Sequence, residues 1–433
     1  MICRIPFGSM VMSPTTTLLS GETIQARLKA LARHTDIPGE MTRLTLSPAH
    51  RSAANEVLQL FRASGMSAKI DHFGSVVGRY GSDRNNAKTL VIGSHIDTVP
   101  NGGIYDGNLG VFVGLAVVEE LARVGKRLPF DIEVVAFSDE EGVRFPTALS
   151  SSRAWAGTFD PKTLDDKDRN GITRREALQD FGCEPDRWVE LQRDPEKLIG
   201  YLEVHIEQGS VLEAHLEAVG IVSAITGVSR GKISITGKAG HAGTTPMGMR
   251  KDALAAAAEI ILAIEKLACA TDDLVATVGV LDIAGSAVNV IPGHVSMSYD
   301  IRSGADRTRV RGIATALGLA KEIAAARECA IAIDMSYAAP AAASDPYLLG
   351  VLAQSVQKQG GQGITTPSGA GHDAMSFRTV CPQAMLFVRS KDGLSHHPDE
   401  YTSPEDIGRA AQALYDAVIH LAEDENAKEQ ASV

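Results

Sequence analysis

The chain has 433 residues, of which 44% are apolar and 22% charged, with a formal net charge of −11. That length exceeds one ordinary hydrophobic core, so two domains are expected, and the composition excludes a disordered chain. The acidic balance argues against a general nucleic-acid binder, which presents a basic face, but leaves room for a small anionic substrate held by one buried arginine.

Residues 1–20 read as a loose leader whose apolar stretch is too short and broken for a signal h-region. Apolar periodicity predicts helices over 22–33 and 48–63. The second has Ser47 as N-cap, Pro48 in its first turn and Gly65 past its end. Short β-type runs follow at 68–71 and 75–79. TLVIGS at 89–94 is continuously apolar, as a strand buried on both faces is. A helix rich in glycine contacts is expected over 110–124, and DIEVVAF at 131–137 is a second buried strand. Strand, helix, strand at these lengths builds an α/β sheet.

From residue 218 to 337 the pattern changes to strand, strand, helix, strand, strand, helix, strand. The strands are expected at 218–228, 232–236, 275–282, 295–301 and 330–337, and the helices at 251–268 and 306–327. A block of ~120 residues can form a small domain of its own. A helix over 345–359, a buried strand at 383–388 and a helix over 404–422 follow, with a frayed polar tail from Glu423. The expected fold is α/β: a mixed-sheet domain made of 1–217 and 338–433, interrupted by an α+β insertion over 218–337.

Five scattered cysteines, Cys3, Cys183, Cys269, Cys329 and Cys381, form no C-x-x-C pair. A disulfide framework or a zinc ribbon is therefore not expected, and a reducing cytoplasm is the simplest location. No run of about eighteen apolar residues suggests a membrane span.

Four segments carry chemistry. GSHIDTVPNGGIYDGNLG, at 93–110, sets His95, Asp97 and Asp106 just after a buried strand, where open α/β sheets place ligand sites. Asp97 lies two residues from His95 and is suited to holding one imidazole tautomer, although a glycine-rich turn with a solvated Asp would read the same. FSDEEGVRF, at 137–145, puts Asp139, Glu140 and Glu141 together at the next strand end, costly without a neutralising cation unless the turn is solvated. In GYLEVHIEQG, at 200–209, His205 alternates with Tyr201 and Glu203; such a histidine is more often a core residue than a ligand. In GLSHHPDE, at 393–400, His396 and His397 point apart, so at most one serves as a ligand. A set of histidines and carboxylates without cysteine suits Mn²⁺, Zn²⁺ or Co²⁺, and a pair of such ions activates water and polarises a carbonyl.

Over residues 22–422 these motifs, with GHAGTTPM and SGAGHDAM in the same order, resemble the M20 metallopeptidase superfamily, and within it the hydantoinase/carbamoylase amidohydrolases. The resemblance implies two divalent ions per subunit, Mn²⁺ or Zn²⁺ with Co²⁺ or Ni²⁺ also accepted. It assigns His95, Glu141, His205 and His396 as ligands, with His95 and His396 on different metals and Asp106 bridging the pair. Glu140 would be the general base, with Asp97 behind His95. The inserted block would be a ferredoxin-like lid and dimerisation domain. There Arg302 and Asn289 would hold a substrate carboxylate, and His241 would reach the oxyanion from across a homodimer. Gln208 and His372 would contact the substrate. Arg302 pairing with an internal acid and Asn289 capping a turn are the bland alternatives. FSDEEGVRF and AMLFVRSKDGLSHHP resemble allantoate amidohydrolases most, which implies purine catabolism; N-carbamoyl-L-amino acids and N-carbamoyl-β-alanine are the competing substrates. A peptidase fits less well because HIEQG with Arg302 suits a small substrate carrying its own carboxylate, and a catalytically idle binding relative fits less well because every ligand candidate and the base are present.

Overall fold

The computed structural model describes residues 19–431; the expected leader and Cys3 lie almost wholly outside that range. The chain divides into two compact units. The first takes the residues up to Ile221, Asp345–Ile364 and the residues from Thr379 on; the second takes Val222–Ser344 and Thr365–Arg378.

In the first unit the strands are β1 (Ser67–Ile70), β2 (Val76–Tyr80), β3 (Thr89–His95), β4 (Asp131–Phe137), β5 (Leu198–Ile206) and the start of β6 (Val219–Ile225). The second unit adds β7 (Gly227–Thr236), β8 (Gly240–His241), β9 (Val275–Thr277), β10 (Leu281–Ala284), β11 (Val290–Ile291), β12 (His294–Ser303), β13 (Ala330–Ala339), β14 (Ala342–Ala343) and β15 (Thr365–Ser368). The chain then returns to the first unit as β16 (Gln383–Val388).

The first unit's sheet runs β1-β2-β4-β3-β5-β16-β6. β1, β2 and β4 pair antiparallel, whereas β4, β3, β5 and β16 are parallel, so the sheet is mixed. β4 is buried throughout, Asp131 and Glu133 included, and β3 nearly so, as central strands of a covered sheet are. The helix Asn108–Arg123 packs on β3 and is buried on almost every side. The parallel register brings the carboxyl ends of β3, β4 and β5 to one edge, with His95 opposite Phe137 and His205 opposite Phe387 of β16.

In the second unit, β10-β12-β7-β13 form a sheet with β9 on β12. Burial alternates along β12, and its inward residues Val295, Met297, Tyr299 and Ile301 share a core with the helices Ala253–Cys269 and Asp306–Ala326. The opposite face is polar, the period-2 pattern of a half-covered sheet.

Several expectations need correction. The strands expected at 218–228 and 232–236 are instead broken at Thr226, after which β7 runs unbroken from Gly227. The single strand expected at 275–282 is two, β9 and β10. The tail from Glu423 is helical as far as Ala431. Segment 365–378, expected with the first unit, groups with the second, where the Thr226 N–H donates to the Ser368 carbonyl at 2.9 Å. The described cysteines are free, and among the described residues no helix is long and apolar enough to cross a membrane.

The helix Pro48–Ala63 hides a titratable group. His50 is fully buried, accepts the Leu46 N–H on Nδ1 at 2.9 Å and stacks on Phe181. Burial pushes its pKa down to about 4. A histidine neutral when folded and ordinary when unfolded stabilises fully above its unfolded pKa; that contribution drains as pH falls from 6.5 towards 4. It amounts to about 3 kcal/mol. Melting measured from pH 7 to 4 should therefore decline less steeply in His50→Asn than in the parent, and parallel declines would remove this account.

Candidate metal centre

Two strand ends and three loops supply the cluster. His95 closes β3 and His205 lies near the end of β5. Asp106 comes from the glycine loop before the helix Asn108–Arg123, Glu141 from the turn after β4, and His396 from the loop after β16. His95 Nε2 and His205 Nε2 lie 3.3 and 3.2 Å from Asp106 Oδ1. His396 Nε2 lies 3.4 Å from Asp106 Oδ2 and 3.6 Å from Glu141 Oε2. Asp106 thus belongs to two ligand groups at once, one with His95 and His205 and one with Glu141 and His396. Each group takes a different carboxylate oxygen.

The donor chemistry fits cations there. His95 Nδ1–H donates to the Asp97 carbonyl at 3.0 Å, and His205 Nδ1–H to the Ile206 carbonyl at 2.9 Å. In the neutral imidazoles both Nε2 atoms then lie beside a buried carboxylate oxygen, acceptor against acceptor, a repulsion that positive charge between them removes; His205 Nε2 also accepts the Gly107 N–H at 3.3 Å. The titration directions also mark a site that draws positive charge. Burial opposes a charged His95, yet Asp106 and Asp97 hold its pKa well above the ordinary value. Burial opposes ionisation of Asp106, yet His205, His396 and His95 hold its carboxyl well below the usual range. Burial and then the Asp106 charge push Glu141 up to about 8.

Glu140 stands outside both groups, its Oε2 3.9 Å from His95 Nε2. Asp97 clamps the turn: its two oxygens accept the Glu140 and Glu141 N–H groups at 3.1 and 3.2 Å. Gly107 makes the loop possible. Its φ is 65°, and a Cβ there would run into the His95 imidazole. Gln208 Nε2 donates to Asp106 Oδ2 at 2.7 Å, while its Oε1 is buried without a hydrogen-bond partner.

The other expected residues lie in the second unit. β8 and β11 pair His241 with Val290, and the Ala242 N–H donates to the Asn289 carbonyl, so His241 and Asn289 are brought together. The Gly243 N–H donates to His241 Nδ1 at 3.0 Å, which fixes the proton of the neutral ring on Nε2. Arg302 does pair with an internal acid, Asp300, at 2.7 and 2.9 Å. His372 is buried, with Nε2 2.7 Å from Ser368 Oγ.

Residues 91–420 match the sequence profile of peptidase family M20/M25/M40. The chain belongs to peptidase family M20/M25/M40. An N-carbamoyl-L-amino acid amidohydrolase of Geobacillus stearothermophilus is 38% identical over 411 residues, covering 94% of this chain and 100% of the relative. A probable allantoate deiminase of Oryza sativa subsp. japonica is 36% identical over 440 residues, covering 94% and 89%. The crystal structure of a hydantoinase/carbamoylase-family amidase from Burkholderia multivorans matches with a TM-score of 0.87 at 31% identity, covering 93% and 98%. This M20 chain is a hydrolase of carbon–nitrogen bonds.

Some of this M20 site is not singled out by residue type alone. Glu400 accepts the Tyr105 and Asp106 N–H groups at 2.9 and 3.0 Å, and Ser395 Oγ–H donates to Asp106 Oδ2 at 2.8 Å. Both sit in GLSHHPDE, where a serine before and a carboxylate four residues after His396 were the available signal. Buried Arg43 donates to the Ile96 carbonyl and to Asn108 Oδ1, fixing both ends of the glycine loop. Asp139 needs no metal: the buried Arg174 guanidinium and the Ser150 hydroxyl neutralise it, so only two of the three successive carboxylates turn to the cluster.

Proposed function

We propose that this chain hydrolyses the ureido (N-carbamoyl) carbon–nitrogen bond of a small substrate bearing its own carboxylate, with allantoate first. Allantoate and water would yield ureidoglycine, ammonia and carbon dioxide, which places the reaction in purine catabolism. The observation that carries it is Asp106, whose two oxygens are divided between two histidine–carboxylate groups. His95, His205, Asp106, Glu141 and His396 would hold two divalent ions, Mn²⁺ or Zn²⁺, with Co²⁺ or Ni²⁺ accepted by the same donors. Bound there, such ions supply Lewis acidity and lower the pKa of water.

Glu140, outside both ligand groups, takes the proton of the attacking water and passes it to the departing nitrogen. His241, with its proton on Nε2, donates to the carbonyl oxygen as negative charge develops. Arg302 and Asn289 hold the carboxylate, and His372 contacts the substrate. Gln208, whose buried Oε1 lacks a partner, suits a ureido N–H. Exposed Met247, Met249, Leu262 and Val288 in the second unit support a surface covered by a second copy; a monomeric mass in sedimentation would remove the homodimer. The four described cysteines, none of them paired with another, suit a cytoplasmic location.

The 38% identical relative favours a second substrate, an N-carbamoyl-L-amino acid. Ammonia release from Mn²⁺-loaded protein, measured in parallel on allantoate, N-carbamoyl-L-amino acids and N-carbamoyl-β-alanine, decides between them by kcat/KM. Turnover of none of them would sink the proposal. Arg302→Ala is expected to raise KM for the preferred substrate by about ten- to a hundredfold, the loss of a charge-assisted fork. An unchanged KM would move the carboxylate site elsewhere.

A further inference from the structure

Three charged side chains share the polar face of the second unit's sheet. The β7–β12 register sets Asp300 directly opposite Arg230, and Arg302 follows two residues on, on the same face. Asp300 Oδ1 accepts from Arg302 Nε at 2.7 Å, and Oδ2 from Arg302 Nη2 at 2.9 Å and from Arg230 Nε at 2.7 Å. Arg302 Nη1 also donates to the Gly369 carbonyl. Arg230 lies 5.8 Å from the Tyr337 ring, a cation–π contact that steadies it. A guanidinium has five N–H donors, and Arg302 has spent three; one remains on each terminal nitrogen, the pair a second carboxylate accepts as a fork. Arg230, Asp300, Arg302, Ser298, Thr277 and Gly369 line one cavity of about 670 Å³.

The charge count decides what this cluster can bind. Asp300 and Arg302 alone cancel, and a neutral pair gives an anion little reason to leave water. Arg230 makes the sum one net positive charge. Burial opposes ionisation of Asp300, but hydrogen bonds from Arg302 and Arg230 hold its carboxyl below the ordinary range, so it stays charged.

We infer that Arg230 and Asp300 are positioning residues for Arg302. Asp300 holds the guanidinium by its side edge, and Arg230 offsets the Asp300 charge so that one positive charge is left for a substrate monocarboxylate. This rests on the proposal that Arg302 receives the substrate's carboxylate, and it adds why that arginine can do so while already paired.

The test compares Arg302→Ala, Arg230→Gln and the double variant Arg230→Gln/Asp300→Asn in the metal-loaded enzyme. Each is assayed with the preferred ureido acid and with its uncharged carboxamide. Arg230→Gln should raise KM for the acid about fivefold, an effect on the scale of one charge near a partly exposed site. It should change kcat far less and narrow the preference for acid over amide. The double variant restores the net charge and should recover part of the KM rise, the remainder being the loss of the second Asp300 oxygen that holds the guanidinium, whereas a merely structural defect would deepen. An unchanged KM in Arg230→Gln beside a raised KM in Arg302→Ala overturns the inference and leaves the functional reading standing. So does a double variant no better than the single. An unchanged KM in Arg302→Ala removes the carboxylate reading itself.

Discussion

Glu140→Gln is expected to lower kcat by about two to four orders of magnitude, the usual span for removing a general base, with metal content per chain unchanged. On the proposed reading, adjacent residues in the turn after β4 divide the work. Glu141 lies with Asp106 and His396, 6% exposed and pushed up to about 8 by burial and the Asp106 charge. Glu140 is 12% exposed, belongs to neither ligand group and still lies within 3.9 Å of His95. Asp97 accepts both their N–H groups, so the backbone is fixed while the two side chains diverge. A glutamine at 140 keeps the volume and loses only the basic oxygen. Steady-state kinetics together with elemental analysis of the purified variant check this. Full activity would take the base away from Glu140, and a loss of activity that tracks a loss of metal would make it a ligand instead.

What the sequence made legible follows from what each signal measures. The apolar stretches within 89–94 and 131–137 read as strands buried in a sheet, and the structure has them as β3 and β4, parallel to each other. The histidine and acidic residues at their ends were visible because function concentrates where those strands stop. Local patterning cannot see partners distant in the chain. Asp139 looked like part of a cation-hungry triplet, yet its counter-charge is Arg174, thirty-five residues on. Residue type alone does not mark Glu400 within GLSHHPDE, yet it holds the N–H groups of the loop nearly three hundred residues earlier. Strand limits failed where β-type residues continue through a break, as at Thr226, because the break is set by pairing with 365–368 rather than by the residues at the break. Arg302 showed its type but not its state. The sequence offered a free carboxylate receptor or an internal ion pair, and the register of β12 on β7 makes the pair with Asp300 unavoidable.

Asp106→Ala is expected to lose both divalent ions in one step and to take turnover below a thousandth of the parent value, the scale for removing a group that several others depend on. Oδ1 serves the group with His95 and His205, and Oδ2 the group with Glu141 and His396. Removing one side chain therefore takes a ligand from each. It also removes the acceptor for Ser395 and Gln208, so the shell around the carboxylate loses its anchor. His396→Ala, by contrast, takes a ligand from one group only. Calorimetric titration with Mn²⁺ should find two equivalents in the parent, none of comparable affinity in Asp106→Ala and one in His396→Ala. The stabilisation that metal gives against thermal unfolding should vanish in the first variant and survive in part in the second, since a ligand stabilises only the state that binds it. One tight equivalent left in Asp106→Ala would show that the two groups are independent sites and that Asp106 does not join them.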